Sequence, residues 1–182
     1  MTATIQLLSN EGTGSLTTTR VAERAGVSVG TMYQYYPNKQ ALLYALLQQK
    51  LTAVSEAMER AAQALRGQPL AAMAEGVARA WLEAKTADLR VSRALYAVAR
   101  DYDTAELIDG SARRMQIAIE QMLRTATDAR VHDAGTAVAM LVATMGGAVR
   151  AVLEREGADD ALVVLRTQLP VVCRAYLAAS AA

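Results

Sequence analysis

Apolar residues recur every three to four positions along nearly the whole chain, a spacing that places them on one side of a helix. Sustained alternation of apolar and polar residues, the pattern of a half-buried strand, is missing. The predicted helices cover residues 3–9, 16–26, 28–36, 39–65, 70–86, 91–102, 104–127, 133–155 and 159–179. The pattern therefore predicts an all-α fold of about nine helices: three short ones, a long connector and a larger helical body.

Capping and helix-ending residues mark the boundaries between the first four predicted helices. A threonine at position 17 or 18 is suited to cap the second helix, and Ser28 can cap the third. Gly26 permits a sharp turn between them. Pro37 ends the third helix and Asn38 can cap the long connector.

Two short helices joined by a tight turn have the geometry of a helix-turn-helix, whose second helix lies in the major groove of DNA. On that second helix Met32 and Tyr36 are four residues apart and share the side that faces its neighbour. The opposite side carries Val29 with Tyr33 and Gly30 with Gln34, flanked by Thr31 and Tyr35. We therefore predict that Tyr36 packs in the core and that Tyr33 and Tyr35 face outward toward DNA. The alternative is that Tyr33 and Tyr35 also pack in the core.

The segment LTTTRVAERAGVSVGTMYQYYPNKQALLYALL closely resembles the DNA-binding region of the TetR family of bacterial transcriptional repressors. The resemblance runs without a gap from about Ile5 to Leu47, and the string AERAGVS-x-G-x-x-Y-x-Y-x-P-x-K is highly specific. It implies an all-helical homodimer with a ligand-binding C-terminal domain. Accordingly we expect residues 1–48 to form the helix-turn-helix domain and residues 49–182 the effector-binding and dimerisation domain. Beyond residue 50 the resemblance is limited to helix count and length.

The resemblance also implies a set of DNA-binding residues. Those at the start of the second helix would lie beside phosphates, and those on the third would face the groove, with the tyrosines gripping the backbone or a base edge: Thr17, Thr18, Thr19, Ser28, Val29, Gly30, Thr31, Tyr33, Gln34 and Tyr35. Lys39 would reach another phosphate at the start of the connector. Capping alone is the alternative for the threonines, and solvated surface charge is the alternative for Arg20 and Arg24.

The start of the chain departs from the family pattern, because family members usually carry a basic arm and a fuller first helix. We expect a truncated first helix or a missing arm, either of which would weaken phosphate binding. The net charge of the whole chain is only +1, which gives little general attraction to DNA. Residues 1–50 contain four basic and two acidic residues. Few cations are therefore available for DNA in this domain.

Composition limits the remaining possibilities for localisation, metal binding and catalysis. The single cysteine, Cys173, rules out an intramolecular disulfide and fits a reducing cytosol. Charged residues interrupt every long apolar stretch and no signal peptide is recognisable, so we expect a cytoplasmic protein without membrane contact. His132 is the single histidine and lacks a nearby cysteine, which favours a surface or capping role over a metal site. No catalytic constellation appears, and we predict a non-enzyme without cofactor or metal.

A second group of residues on the helical body combines methionines with larger aromatic side chains: Met73, Trp81, Tyr96, Tyr102, Met115, Met122 and Met140. Such residues can line a mostly apolar cavity for a small-molecule effector. Plain core packing is the alternative for each of them.

The last two predicted helices are the candidates for a dimer interface, because their apolar residues cover much of their circumference. The residues expected there are Ala143, Gly146, Gly147, Val149, Leu169 and Cys173. A two-fold dimer would set two recognition helices about 34–36 Å apart and would require a pseudo-palindromic double-stranded DNA operator. The sequence thus suggests a ligand-responsive dimeric repressor. The alternative is a helical protein that binds a small molecule or a partner and has impaired DNA binding.

Overall fold

The computed structural model describes residues 1–155 and 159–181. Its helices are α1 Thr2–Glu11, α2 Thr18–Ala25, α3 Val29–Tyr35, α4 Lys39–Ala64, α5 Leu70–Thr86, α6 Leu89–Asp101, α7 Ala105–Leu123, α8 Ala134–Leu153 and α9 Asp159–Ala179. Within these ranges there is no strand, and the only β-type pairing is an isolated bridge between Val131 and Ala181. The predicted all-α fold is confirmed.

Side-chain caps define the helix-turn-helix as the sequence predicts. The hydroxyl of Thr17 accepts a hydrogen bond from the amide of Arg20, and that of Ser28 accepts one from the amide of Thr31. Each cap satisfies an amide that has no partner within its own helix. Gly26 ends α2 with φ of 68°, in the left-handed region, and so allows the tight turn into α3.

A first core joins the helix-turn-helix to α6. Its buried side chains from the N-terminal segment are Leu7, Leu8, Leu16, Val21, Ala22, Met32, Leu42, Leu43, Leu46 and Leu47. Val91, Leu95 and Val98, which form one face of α6, complete this core. The sequence predicts α6 only as part of the helical body, and its contribution to the core of the N-terminal segment is a finding of the structure. The N-terminal unit is therefore closed by a helix that lies far away in sequence.

A second, larger core is built from the C-terminal half of α4 together with α5, α7, α8 and α9. The indole Nε1 of Trp81 donates to the carbonyl of Met145 at 3.0 Å, which ties α5 to α8. The hydroxyls of Ser55 and Ser111 lie 2.7 Å apart and join α4 to α7. Because α4 contributes Leu47 to the first core and Val54 to the second, this helix connects the two units.

Helices α8 and α9 are long and apolar enough to cross a membrane by length and composition, with mean hydropathies of 1.7 and 1.3. Charged residues do interrupt both helices, Arg150 in α8 and Arg166 with Arg174 in α9, yet one or two charges do not offset the hydropathy of segments rich in Ala, Val and Leu. Both helices bury part of their apolar surface in the second core.

Candidate nucleic-acid interface and internal pocket

Helix α3 divides its side chains between the core and the surface. Met32 is buried and Tyr36 is half-buried against the first core, whereas Tyr33 and Tyr35 are 47% and 74% exposed. The other outward residues predicted for this surface, Ser28, Val29, Gly30, Thr31 and Gln34, are exposed as well. We call this surface the α3 face. It presents phenol, hydroxyl and amide groups that can donate to phosphates and base edges.

The three threonines before and within α2 do not share one environment. Thr17 and Thr19 are exposed, whereas Thr18 is only 6% exposed. Burial removes the Thr18 side chain from the predicted set of phosphate contacts. The hydroxyl of Thr17 accepts a hydrogen bond from the amide of Arg20 and is also exposed, so it caps α2 at a position that solvent can reach.

The basic residues of the N-terminal unit are engaged in contacts within the protein. The guanidinium of Arg20 binds both carboxylate oxygens of Glu11 at 2.6 and 2.8 Å, and this contact lowers the pKa of Glu11. Arg24 donates to Gln6 Oε1 at 3.0 Å, and Lys39 Nζ donates to the carbonyl of Thr13. These contacts fasten α2 and α4 to α1 and to the loop after it.

An internal pocket of about 390 Å³ lies between α4, α5, α6 and α8, with Ile108 of α7 completing its wall. Of the residues predicted to line a cavity, Trp81 and Tyr96 do so. Much of the remaining wall is apolar: Leu47, Leu51, Val54, Leu95 and Ile108, with Gly146 and Gly147 of α8. Its volume falls within the roughly 300–1,000 Å³ of typical small-molecule sites.

Several polar groups in the pocket wall are absent from the sequence prediction: Lys50, Lys85, Asp88, Ser92 and Arg150. Lys85 Nζ lies 4.8 Å from the Trp81 ring centre and 5.7 Å from that of Tyr96. Burial lowers the pKa of Lys85 to about 8 and raises that of Tyr96 to about 12. The spacing of Trp81 and Lys85 by four residues on α5 is the signal that could have placed them on one face.

The predicted ligand-binding methionines do not line this pocket. Met73, Met115 and Met122 are buried in the second core, where they fill space between helices. Met140 is 52% exposed on the outer side of α8, and Tyr102 packs against the first core. The pattern of apolar residues alone does not distinguish a core position from a pocket wall, and for this reason it grouped these residues with Trp81 and Tyr96.

The predicted dimer residues also separate into two groups. Ala143 and Gly147 are exposed on α8, and Gly146 is half-buried. Val149, Leu169 and Cys173 are buried in the second core of the chain itself, so their side chains are not exposed for contact with another chain. Burial also raises the pKa of the Cys173 thiol to about 11, as expected for an inert core cysteine.

Large apolar side chains nevertheless remain exposed on the outer surfaces of α8 and α9: Met140, Val163, Val164, Val171 and Val172. Met140, Ala143 and Gly147 follow one another at intervals of three and four residues and therefore lie on one side of α8. We call the outward surface of these two helices the α8–α9 face.

Two family models match the chain. The one described as "Bacterial regulatory proteins, tetR family" matches residues 1–46, and the one described as "Tetracyclin repressor-like, C-terminal domain" matches residues 69–177. A search of curated proteins finds no match.

Solved structures share the fold over nearly the whole chain. The fatty acid degradation regulator FadR from Bacillus halodurans is similar with a TM-score of 0.70 and 16% identity, covering 95% of this chain and 91% of its own. A TetR-family transcriptional regulator from Streptomyces coelicolor gives 0.65 and 23%, covering 98% and 95%. The structure described as the SmeT-Triclosan complex gives 0.69 and 22%, covering 97% and 87%.

Proposed function

Because the chain belongs to the TetR family of bacterial transcription regulators, we propose that it is a cytoplasmic, dimeric repressor released from its operator by a small-molecule effector. The observation that carries this proposal is the division of α3: Met32 anchors the helix, while Tyr33, Gln34 and Tyr35 point outward. Hydroxyl and amide groups then provide much of the DNA contact, since Arg20 and Lys39 already have partners within the protein.

The α8–α9 face is the proposed dimer interface. Its exposed valines and Met140 lie beside small residues that allow a partner helix to approach closely. A two-fold axis through this face would pair two α3 helices with successive major grooves, and a pseudo-palindromic operator follows.

Helices α4 and α6 connect the pocket to the α3 face. Both line the pocket, through Val54 and Tyr96 for example, and both contribute to the first core. On α6, Arg90 also donates to the carbonyl of Ser9 at 3.4 Å. An effector that binds one arrangement of these helices better than the other would change operator affinity, and a preference of about 1–3 kcal/mol gives a 5- to 150-fold effect.

Selection of bound sequences from a random duplex pool tests this proposal without knowledge of the operator. We expect enrichment of an inverted repeat whose half-site centres are about one helical turn apart. Recovery of a single half-site would contradict the dimeric mode, and a failure to enrich any sequence would contradict DNA recognition.

The second candidate is a helical small-molecule-binding protein with impaired DNA binding. The internal partners of Arg20, Arg24 and Lys39 favour it, because cations engaged within the protein contribute less to phosphate binding. Salt-dependent binding to the selected duplex distinguishes the two candidates. The repressor binds it far more tightly than a scrambled duplex, whereas the second candidate shows no such difference.

A further inference from the structure

The wall of the pocket contains a cationic group amid apolar side chains. Lys85 Nζ lies over the Trp81 ring, and no acidic side chain of the described residues forms an ion pair with it. Contact with aromatic faces offsets only part of the cost of removing an ammonium group from water. An anion in the pocket would supply the missing partner.

The other charged groups of the pocket do not supply that partner. Asp88, whose carboxylate caps α6, accepts a hydrogen bond from the amide of Val91 at 3.0 Å. Arg150 donates to Glu154 at 3.0 Å, and Lys50 adds a further positive charge to the wall. Because Arg150 already forms an ion pair with Glu154, the pocket wall keeps two lysines, Lys50 and Lys85, against the single carboxylate of Asp88, and this balance favours a negatively charged ligand over a neutral or cationic one.

We infer that the effector is an amphipathic organic anion, with an apolar body and a single carboxylate-like group that pairs with Lys85. This inference rests on the proposed function, because it assigns a chemical class to the effector. The apolar body lies against Leu51, Val54 and Ile108, while the acidic group lies near the rings of Trp81 and Tyr96. A charge-assisted hydrogen bond to Lys85 fixes the orientation of the ligand.

Trp81 makes the inference directly testable, since it is the single tryptophan of the chain and it lines the pocket. Its fluorescence reports binding of alkyl probes, which do not absorb in the same range. The probes are carboxylates from hexanoate to dodecanoate, compared with the alcohols and primary amines of the same lengths. At pH 7 we expect the best carboxylate to bind at least about tenfold more tightly than its alcohol, and the amine to bind most weakly.

Substitutions at Lys85 identify the group that is responsible. Lys85→Met keeps an unbranched apolar side chain and should reduce the preference for carboxylate to less than about threefold, while Lys85→Arg should retain most of it. Arg79→Met removes a cation from the exposed side of the same helix and should leave the preference unchanged. Equal binding of carboxylate and alcohol by the unmodified protein would overturn the inference, as would a preference that survives Lys85→Met or an absence of carboxylate binding at every length.

Failure of this inference is distinguishable from failure of the proposed function, because the fluorescence titration contains no DNA. A carboxylate preference in a protein that fails to select any duplex supports the anion site and contradicts the repressor. Selection of an inverted repeat by a protein that prefers the alcohols supports the repressor and contradicts the anion site.

Discussion

Lys85 Nζ lies 4.8 Å from the centre of the Trp81 ring, one helical turn away on α5, and burial holds its pKa at about 8. Below that pH the folded protein carries a buried ammonium, whereas the unfolded chain solvates the same group with an ordinary pKa of about 10.4. The lowered pKa means that folding is penalised at neutral pH and that the penalty disappears as the pH rises from about 8 to 10.5. The position of Lys85 in the pocket therefore lowers the stability of the folded protein at neutral pH.

Lys85→Met should therefore increase the free energy of unfolding. At pH 7 we expect a gain of about 1–3 kcal/mol, since the substitution removes a charge and keeps an apolar stem of similar length. The gain should shrink as the pH rises from about 8 to 10.5, because over this interval the folded protein has already released the proton of Lys85 and no longer carries the charge that the substitution removes. Urea denaturation at pH 7 and pH 10 measures it. A less stable variant at pH 7, with Arg79→Met unaffected, would show that Lys85 contributes mainly packing.

Carboxylate binding should weaken as the pH rises through the pKa of Lys85. If only the ammonium form binds, the dissociation constant for the best carboxylate increases by about tenfold between pH 7 and pH 9. The other titratable or charged groups facing the pocket are Lys50 of α4, Asp88 and Tyr96 beside or on α6, and Arg150 of α8. Tyr96 has a pKa of about 12 and stays neutral over this interval. Fluorescence titrations at each pH should show the change in the unmodified protein and a flat profile in Lys85→Arg.

The helix-turn-helix was predictable because its determinants are local. The caps at Thr17 and Ser28 and the left-handed Gly26 each depend on residues within one turn. The inward position of Met32 follows from the same short-range periodicity. By contrast, the packing of α6 against α1 joins residues separated by about 80 positions, and no local pattern indicates it.

The pocket and the dimer residues were less predictable for a related reason. Helices α8 and α9 are apolar around most of their circumference, so the sequence does not separate the side that packs inward from the side that remains exposed. Val149 and Cys173 therefore resembled interface residues but belong to the protomer's own core. Lys85 was missed because a charged residue between two apolar stretches is usually solvated.

Removal of the outward hydroxyls on α3 should weaken operator binding without affecting the fold. Tyr33→Phe and Tyr35→Phe each remove a group that can donate to a phosphate, and we expect a loss of about tenfold per substitution. Tyr44→Phe is the matched control, because Tyr44 is also exposed but lies on α4. Fluorescence anisotropy with the selected duplex measures the affinity. If all three variants bind the duplex as tightly as the unmodified protein, the hydroxyls of Tyr33 and Tyr35 do not contact DNA.

Lys39→Met tests whether an ammonium that already donates to the carbonyl of Thr13 also contacts a phosphate. An ammonium has three donors, so both contacts can be made together. A phosphate contact predicts that the slope of log affinity against log salt decreases in magnitude by about 1. An unchanged slope combined with a lower thermal midpoint would show that Lys39 only fastens α4 to the loop after α1.

Charge introduced on the α8–α9 face should separate the protomers. Val164→Asp and Val171→Asp each place a carboxylate at an exposed position on one side of α9. In a two-fold dimer the partner contributes the same carboxylate, and both charges would have to lose their water in the interface. We expect light scattering after gel filtration to show a dimer for the unmodified protein and a monomer for either variant, with helical content retained. Ile117→Asp is the matched control, because Ile117 is comparably exposed on α7, outside this face. If Ile117→Asp dissociates the dimer and the α9 variants do not, the interface lies along α7 instead.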